Sequence, residues 1–312
     1  MELAEAACER TRYTAGIANL RRLSSAEPST DPQVFKDSAE VFVSNAERLI
    51  RKPADLPAVR QTIIDLAVRG RLSTRDVNDT PAIATLAERA LSTQSFVQPW
   101  VVPPGWEWTS FAQLGIVQGG GTPSKDISEY WHGTIPWVTP KDMKVDYIAD
   151  SQDHLSIEAI RRSSAKLLPA GTLLMVVRGM ILAHSFPVAL TQEAVTINQD
   201  MKGLTPFLSD LGEMLLVIAK GMKPLVLDLV ERSTHGTCRL ATDRLLALPI
   251  PFPPLAEQHR IVSRVNELMA VCDELERNLE AIQSQRTRFL EAVLAEALAG
   301  SGSDEFPSAL ST

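Results

Sequence analysis

The sequence lacks the residue patterns of several well-known classes of protein. Its three cysteines, Cys8, Cys238 and Cys272, lie far apart in a chain of 312 residues, and this spacing offers neither a disulfide framework nor a thiolate zinc site. The most apolar run, LLMVVRGMILA from Leu173, is interrupted by Arg178, and the acidic start MELAEAACER is not a basic leader followed by an apolar stretch. We therefore expect no secretion, no membrane span and a reducing cytoplasm as the location.

The reaction centres of common enzyme classes are also missing. The run GGGTPSK at Gly119 has the wrong spacing for a phosphate-binding P-loop. The five histidines never take the i, i+4 arrangement of zinc hydrolases, and no Gly-x-Ser-x-Gly elbow occurs. We also find no glycine-rich methyl-donor loop and no aromatic, proline-containing tetrad for a flipped base. These absences favour a binding module. A self-contained nuclease or methyltransferase with a divergent active site, and a coiled-coil scaffold with a degenerate recognition domain, stay open as alternatives.

An excess of positive charge is lacking as well. The chain has 31 Lys and Arg against 38 Asp and Glu, a formal net charge of −7. Non-specific affinity for nucleic acid comes mainly from cations that neutralise phosphates. If this chain reads DNA, a few local cations or a partner must supply the positive surface. The share of apolar residues, 45%, is ordinary for a folded protein.

Apolar periodicity and chain breakers divide the sequence into five parts. The first 30 residues have little periodic pattern and end in the breaker-rich SSAEPSTDP, whereas the end of the chain is rich in glycine and serine. We predict a loosely ordered leader (1–30), an N-terminal helical region and linker (31–102), an α+β domain (103–254), a long coiled-coil helix (255–299) and a flexible tail (300–312).

Local signals place the elements within these parts. A helical hairpin is predicted from a first helix that starts at Asp31 and stops before Pro53 and a second one over 57–69, followed by a short helix over 83–91. The α+β domain has short β-type runs separated by turn residues and interrupted by one helical piece. The candidate strands are 135–138, 172–177, 186–190, 194–198 and 248–252, and the helical piece is 208–221.

The last helix carries a heptad repeat. Residues 255–298 contain no proline or glycine and would span roughly 65 Å as a helix. Its core positions alternate steps of four and three, the signature of a coiled-coil seam. Since such a stripe invites association when it is exposed, we expect a partner helix from a second copy of the chain. The seam consists of Ile261, Val265, Leu268, Cys272, Leu275, Leu279, Ile282, Arg286, Phe289 and Val293.

Five blocks of residues follow one another in the α+β domain. They are PPGWEW at Pro103, GGGTPSK at Gly119 with EYWHGTIPWVTPKDM at Glu129, GTLLMVVRG at Gly171, VTINQDMKGLTP at Val195 and STHGTCRLATDRLLALPIPFPPLAEQHRIV at Ser233. In this order, the blocks resemble the target-recognition domain of type I restriction–modification specificity subunits. LPAVRQTIIDLAVRGRL at Leu56 resembles the helical conserved region that precedes such a domain. Members of this family typically carry two recognition domains and two long helices. With one of each, the chain resembles a half subunit or a truncated one.

The resemblance implies a function and a set of partners. The fold would be one mixed α/β recognition domain between an N-terminal helical hairpin and a long coiled-coil helix. The chain would be a non-catalytic subunit that reads double-stranded DNA and directs a DNA methyltransferase, with a restriction subunit as a further partner. We expect no metal and no cofactor on this chain, because the methyl donor would bind the methyltransferase. Antiparallel pairing of two copies would give a palindromic, bipartite target.

Loops of the recognition domain would supply the DNA contacts, by the same resemblance. Residues 119–125 offer N–H groups, hydroxyls and one cation suited to phosphate, or form a tight turn between strands. Arg178 could meet a guanine, a phosphate or a buried acid. The DNA-contact candidates are Gly121, Thr122, Ser124, Lys125, Lys141, Asp142, Arg178, Asn198, Gln199, Asp200, Thr234, His235 and Arg239.

Two groups of side chains have a second interpretation. Asn198 and Gln199 could read adenine and Asp200 could accept from cytosine, but the three could equally form a turn that bonds its own backbone. Trp131 and Trp137 lie in a strand-rich block, so we assign them to the core and not to stacking with bases.

Overall fold

The computed structural model describes residues 50, 52–73, 76–88, 97–232 and 236–300. The predicted leader, almost all of the first hairpin helix, the tail after residue 300 and the candidates Thr234 and His235 lie outside these residues. The described part is a mixed α/β fold with a helix on the N-terminal side and one long helix at the C-terminal side, as the sequence predicts.

Among the described residues of the N-terminal part, one helix is longer than two turns. Helix α1, Leu56–Val68, follows a short 3-10 turn, Pro53–Asp55, and has a proline in its first turn, where the missing N–H costs nothing. It ends before Gly70, whose φ of 65° places it in the left-handed region typical of a helix terminator. The prediction over 57–69 is therefore confirmed. A shorter helix, α2, spans Ala82–Glu88.

The described residues after α2 form twelve strands in four sheets. The central sheet has the order β2-β9-β6-β7-β4, and a second sheet has the order β5-β3-β8. The remaining strands form two antiparallel pairs, β1 with β12 and β10 with β11. The strands are β1 Glu107–Ser110, β2 Gly115–Gly119, β3 Ile135–Val138, β4 Tyr147–Ile148, β5 Asp153–Leu155, β6 Leu173–Val176, β7 Val188–Thr191, β8 Thr196–Ile197, β9 Met201–Pro206, β10 Val230–Arg232, β11 Cys238–Leu240 and β12 Pro249–Phe252.

The expectation of a single helical piece in this region is wrong. The described residues there form five helices, α3 Phe111–Leu114, α4 Ile157–Arg162, α5 Leu211–Gly221, α6 Lys223–Asp228 and α7 Thr242–Ala247. Only α5 is long enough to show the helical period that a sequence pattern reveals. Helix α4 has only six residues, and it is stabilised by its N-cap Ser156, whose Oγ accepts from the backbone N–H of Ala159.

Helix α5 joins the sheet to the helical part. It packs against β7 on one side and α1 on the other. A Cβ at Gly221 would lie 2.5 Å from Cγ1 of Val68, so the glycine allows α1 to approach closely. One continuous core therefore connects α1, α5 and the central sheet.

The C-terminal helix α8 spans Leu255–Gly300, 46 residues, or about 69 Å. Its first turns are fixed to the rest of the chain by Glu257, a fully buried carboxylate that accepts from Trp106 Nε1 at 2.9 Å and from Ser73 Oγ at 2.9 Å. Further along, Arg60 of α1 forms ion pairs with Asp273 at 2.7 Å and Glu276 at 2.8 Å. These contacts set the direction in which the helix leaves the sheet region.

Candidate nucleic-acid interface

Three predicted DNA-contact segments meet at one end of the central sheet. Strand β2 ends at Gly119, opposite Lys202 near the start of β9, and β6 ends at Val176, opposite Met201. Because both neighbours are antiparallel to β9, the carboxyl ends of β2 and β6 lie beside the amino end of β9. This brings together the loop 119–125, Arg178 and the turn 198–200, which are far apart in sequence.

A fourth segment joins them through the second sheet. Strands β3 and β8 are parallel, with Val138 opposite Ile197, so their carboxyl ends lie side by side. The backbone N–H of Asn198 donates to the carbonyl of Val138 at 3.1 Å. The turn 139–142, with Lys141, therefore lies next to the turn 198–200. We refer to segments 119–125, 139–142, 177–184 and 198–202 together as the polar sheet end.

The glycine-rich loop is an extended segment and not the tight turn considered as an alternative. Residues 120–124 run without a turn, and a turn follows only at Lys125 and Asp126. The N–H of Gly121 donates to the carbonyl of Ile197 at 2.9 Å. A Cβ at Gly120 would collide with the backbone carbonyls of Ile197 and Asn198. Glycine is therefore required because the backbones pass so closely.

Hydroxyl groups of this loop differ in their partners. Thr122 is exposed, and its Oγ1 donates to Oε1 of Gln199, which links the loop to the turn 198–200. Ser124 is also exposed, but its Oγ lies 3.4 Å from the Asp126 carboxylate. Both residues, with Lys125, are accessible to a ligand.

The three residues of the turn 198–200 are not equivalent. Asn198 is 7% exposed, and its Oδ1 accepts from the backbone N–H of Asp200 at 3.1 Å, which is the turn alternative that the sequence left open. Gln199 is exposed and Asp200 is half-buried. Asn198 thus shapes the turn, while Gln199 and Asp200 present polar atoms at the surface.

Arg178 and Arg239 are neighbours on this surface. They form an antiparallel β-bridge, framed by hydrogen bonds from Gly179 N–H to the Cys238 carbonyl and from Leu240 N–H to the Val177 carbonyl. Both arginine side chains are exposed.

The guanidinium of Arg178 has an acidic partner, but a half-buried one and not a fully buried one. It lies 3.6 Å from the half-buried carboxylate of Asp200, with half of its own side chain exposed.

Lys202 is a cation of the same surface that the sequence reasoning missed. It belongs to β9 opposite Gly119, and a Cβ on that glycine would lie 2.8 Å from its Nζ. Lys202 follows Asp200 by two residues, and side chains two apart in a strand lie on the same face. This spacing could have identified Lys202 from the sequence.

Lys141 and Asp142 have different surroundings. Asp142 accepts from the N–H of Thr139 at 2.8 Å, from its Oγ1 at 2.9 Å and from the N–H of Gln152 at 3.3 Å. This carboxylate is occupied in shaping its own turn. Lys141 is exposed.

Burial confirms the core assignment of Trp137, and Trp131 is half-buried beside it. Trp137 is buried and donates from Nε1 to the carbonyl of Gly121 at 3.0 Å, and Trp131 packs edge-on against it with ring centroids 4.9 Å apart. Trp131 also donates to the carbonyl of Ser124 at 3.1 Å. The two rings therefore support the glycine-rich loop from beneath.

The predicted seam of the long helix divides into two halves. Ile261, Val265 and Cys272 are buried against the chain's own α1 and α5, and Leu268, Leu275 and Leu279 pack at the border of the same core. Five apolar side chains beyond Leu279 are exposed. They are Ile282, Phe289, Leu290, Val293 and Leu294, which we call the distal stripe.

Within the ranges that the structure describes, no three His, Cys, Asp or Glu side chains are grouped so that they could hold a metal ion. None of the helices in the described part of the chain combines the length and the hydropathy that a membrane crossing needs.

Residues 103–283 match the family described as the type I restriction modification DNA specificity domain. The chain belongs to this family. It is 33% identical over 184 residues to the type I restriction enzyme EcoR124I/EcoR124II specificity subunit of Escherichia coli, covering 57% of this chain and 46% of that protein. It is 29% identical over 200 residues to the MjaIX specificity subunit of Methanocaldococcus jannaschii, covering 62% of this chain and 43% of that protein. The specificity-domain chain thus spans about half the length of these relatives.

A solved structure supports the fold. The crystal structure of the HsdS subunit from Thermoanaerobacter tengcongensis is similar with a TM-score of 0.51 at 17% identity, covering 93% of this chain and 57% of that one. At this identity the likeness shows the architecture of the specificity domain and not its target.

Proposed function

We propose that this chain reads a DNA sequence and directs a partner DNA methyltransferase, and a restriction subunit where one is present, to that sequence. The observation that carries the proposal is the polar sheet end, where distant segments of a specificity-domain chain bring Arg178, Gln199 and Lys202 together. Arg239 lies beside this surface as the bridge partner of Arg178. Cations can hold phosphates, and the arginine and amide groups can read base edges in the major groove.

The proposed DNA contacts follow from exposure. The DNA phosphate backbone would be bound by the glycine-rich loop, through its N–H groups and Thr122, Ser124 and Lys125. The bases would be contacted by Arg178, Gln199, Asp200 and Arg239. Lys141 would bind phosphate from the neighbouring turn. Asn198, Asp142 and Gly121 would position these groups, because their polar atoms bond within the fold.

A partner is needed for tight binding, in this proposal. The formal net charge of the chain is −7, so the cations of the polar sheet end act against an overall negative field. We expect weak DNA binding by the isolated chain and tight, specific binding by the complex with the methyltransferase.

Catalysis would belong to the partner. The chain itself would be non-catalytic and would carry no cofactor, since the methyl donor would bind the methyltransferase, and the assembly would work in the cytoplasm. The purified chain, given duplex DNA with methyl donor or with a divalent metal, should therefore leave the DNA unchanged.

The proposed working particle contains two copies. The distal stripe extends over about 18 Å, from Ile282 to Leu294, and its side chains are exposed. A second copy in antiparallel orientation would cover it and hold two recognition domains, each 103–254, at opposite ends of a rod built from 255–299. Two-fold symmetry then makes the half-sites identical and inverted, with a gap of fixed length.

Methylome sequencing tests this proposal directly. Cells that carry the chain with its methyltransferase should show one modified motif of two inverted half-sites, and cells with the methyltransferase alone should lack it. A double variant, Arg178→Ala with Arg239→Ala, should weaken or relax modification of the same motif. If the motif persists without the chain, the methyltransferase reads its own target and the proposal is wrong.

A further inference from the structure

Two apolar side chains are exposed on the polar sheet end. Strand β6 is connected to β7 by residues 177–187, which include the 3-10 helix Met180–Ala183. Met180 is 59% exposed and Ile181 is 36% exposed. They follow Arg178 directly, with only Gly179 between, so a small apolar tip stands beside the cations.

The tip is held in place by its own loop. Leu182 is buried, and its N–H donates to the Gly179 carbonyl at 3.2 Å, while the N–H of Ser185 donates to the Ile181 carbonyl at 2.9 Å. Gly179 has φ of 131°, a conformation that side chains other than glycine rarely adopt, and this redirects the chain after Arg178. Met180 and Ile181 are therefore presented by a pre-organised turn.

The charged residues near the apolar tip indicate which kind of molecule it binds. Arg178 precedes the tip by two residues, its bridge partner Arg239 lies on a strand that contacts the 3-10 helix, and both side chains are exposed. The carboxylate of Asp200 lies at 3.6 Å from Arg178. Cations that frame an apolar tip match a duplex groove, where phosphates line the rim and thymine C5-methyl groups lie on the floor. This complementarity favours DNA over a protein surface as the occupant.

We propose that Met180 and Ile181 read A·T pairs in the major groove through apolar contact with thymine C5-methyl groups. The inference rests on the proposed DNA-reading function and adds that each half-site contains at least one thymine whose methyl group contributes to recognition. No hydrogen bond is needed for this discrimination, because the methyl group itself distinguishes thymine from cytosine or uracil.

The test removes that methyl group and nothing else. A duplex carrying the motif found by methylome sequencing is prepared with each thymine of a half-site replaced in turn by deoxyuridine, and its affinity for the complex with the methyltransferase is measured. One or two positions should weaken binding roughly three- to fivefold, the scale of burying a single carbon group. With the double variant Met180→Ala, Ile181→Ala, the duplex that keeps all its thymines should bind more weakly, and replacement by deoxyuridine should have no further effect.

A matched control uses exposed apolar residues at the other end of the sheet. Ile116 is near the start of β2, opposite Thr205, and Phe207 follows β9, and both side chains are exposed. The double variant Ile116→Ala, Phe207→Ala should keep the wild-type sensitivity to deoxyuridine.

Several results would overturn the inference. No deoxyuridine-sensitive position, or equal sensitivity in the Met180 and Ile181 variant, would show that these side chains read no methyl group. Failure of that variant to assemble with the methyltransferase, measured by size-exclusion chromatography, would assign the tip to a protein contact. A wild-type complex that does not select the motif would instead refute the proposed function itself.

Discussion

The guanidinium of Arg178 lies 3.6 Å from the carboxylate of Asp200, and the backbone N–H of Arg178 donates to the carbonyl of Asp200 at 3.2 Å. The two residues are therefore fixed to one another through the main chain, while their charges face the surface. Because a surface ion pair contributes little to folding, these charges can be given up to a ligand at low cost.

Replacement of Arg178 by alanine should affect DNA binding and not folding. If the side chain contacts a base, the complex with the methyltransferase should lose about 1–3 kcal/mol of binding free energy, measured by fluorescence anisotropy. The melting curve should stay cooperative. Arg264→Ala is a matched control, since Arg264 also forms an exposed ion pair, with Glu267 at 2.9 Å, but on the long helix. Aggregation or loss of cooperative melting in Arg178→Ala would reveal a structural role.

Two neighbouring glycines should respond differently to alanine. At Gly120 the new Cβ would collide with backbone carbonyls, so Gly120→Ala should destabilise the fold by about 1–3 kcal/mol and displace the glycine-rich loop. At Gly119 the nearest atom is the flexible end of Lys202, which can move aside, so Gly119→Ala should be tolerated. Chemical denaturation of both variants measures the difference. Equal stabilities would mean that the two backbones can separate without cost.

Asp65 lowers the free energy of unfolding as the pH rises, whereas a carboxyl with a lowered pKa would increase it. Burial raises the pKa of this carboxyl above its usual 3.8, against the hydrogen bond from Gln61 and the charge of Arg69. The folded state therefore holds the proton more tightly than the unfolded state, and this stabilisation is lost as the pH rises through the folded pKa. At pH 7 the ionised carboxylate of Asp65 therefore lowers the free energy of unfolding.

Asp65→Asn should thus be more stable than the wild type at pH 7, with an advantage that vanishes below pH 3.8. Urea denaturation at several pH values measures it. A less stable Asp65→Asn protein at pH 7 would show that the attraction to Arg69 outweighs burial.

Charge placed on the distal stripe should prevent self-association. Phe289 is 68% exposed and Val293 is also exposed, so Phe289→Asp with Val293→Asp should leave the fold intact but separate the two copies. Analytical ultracentrifugation measures the change. Ser284→Asp introduces the same side chain at a heptad position that faces away from the seam, and it should not alter association. A monomeric wild-type complex would contradict the proposed pairing.

Length of the long helix should determine the gap in the target. Deletion of residues 280–286 removes one heptad from each copy without changing the phase of the seam. If the two distal stripes pair with each other, both arms of the rod shorten by about 10.5 Å. The gap should therefore shrink by about six base pairs, since each base pair rises about 3.4 Å. Methylome sequencing should recover unchanged half-sites. An unaltered gap, or an asymmetric motif, would exclude this arrangement.

Helices and strands could be predicted from the sequence when their apolar pattern extended over enough residues. The bounds of α1 and α8 were predicted within two residues because their apolar periods persist over several turns. Strand β3 was predicted at its observed bounds, whereas β1, β2, β4, β5, β9, β10 and β11 were missed. Most of the missed strands have three to five residues, too few for alternation to stand out from the neighbouring turns.

The amino-acid sequence by itself determined the element types with long periods, the absence of an excess of positive charge and the blocks by which the family is recognised. Tertiary structure alone decided which of the candidate residues share a surface. Arg178, Gln199 and Arg239 become neighbours through pairings between strands distant in sequence, and such non-local pairings leave no local pattern. Burial of Asn198 beside exposed Gln199 was likewise decided by packing, because both side chains offer the same amide chemistry.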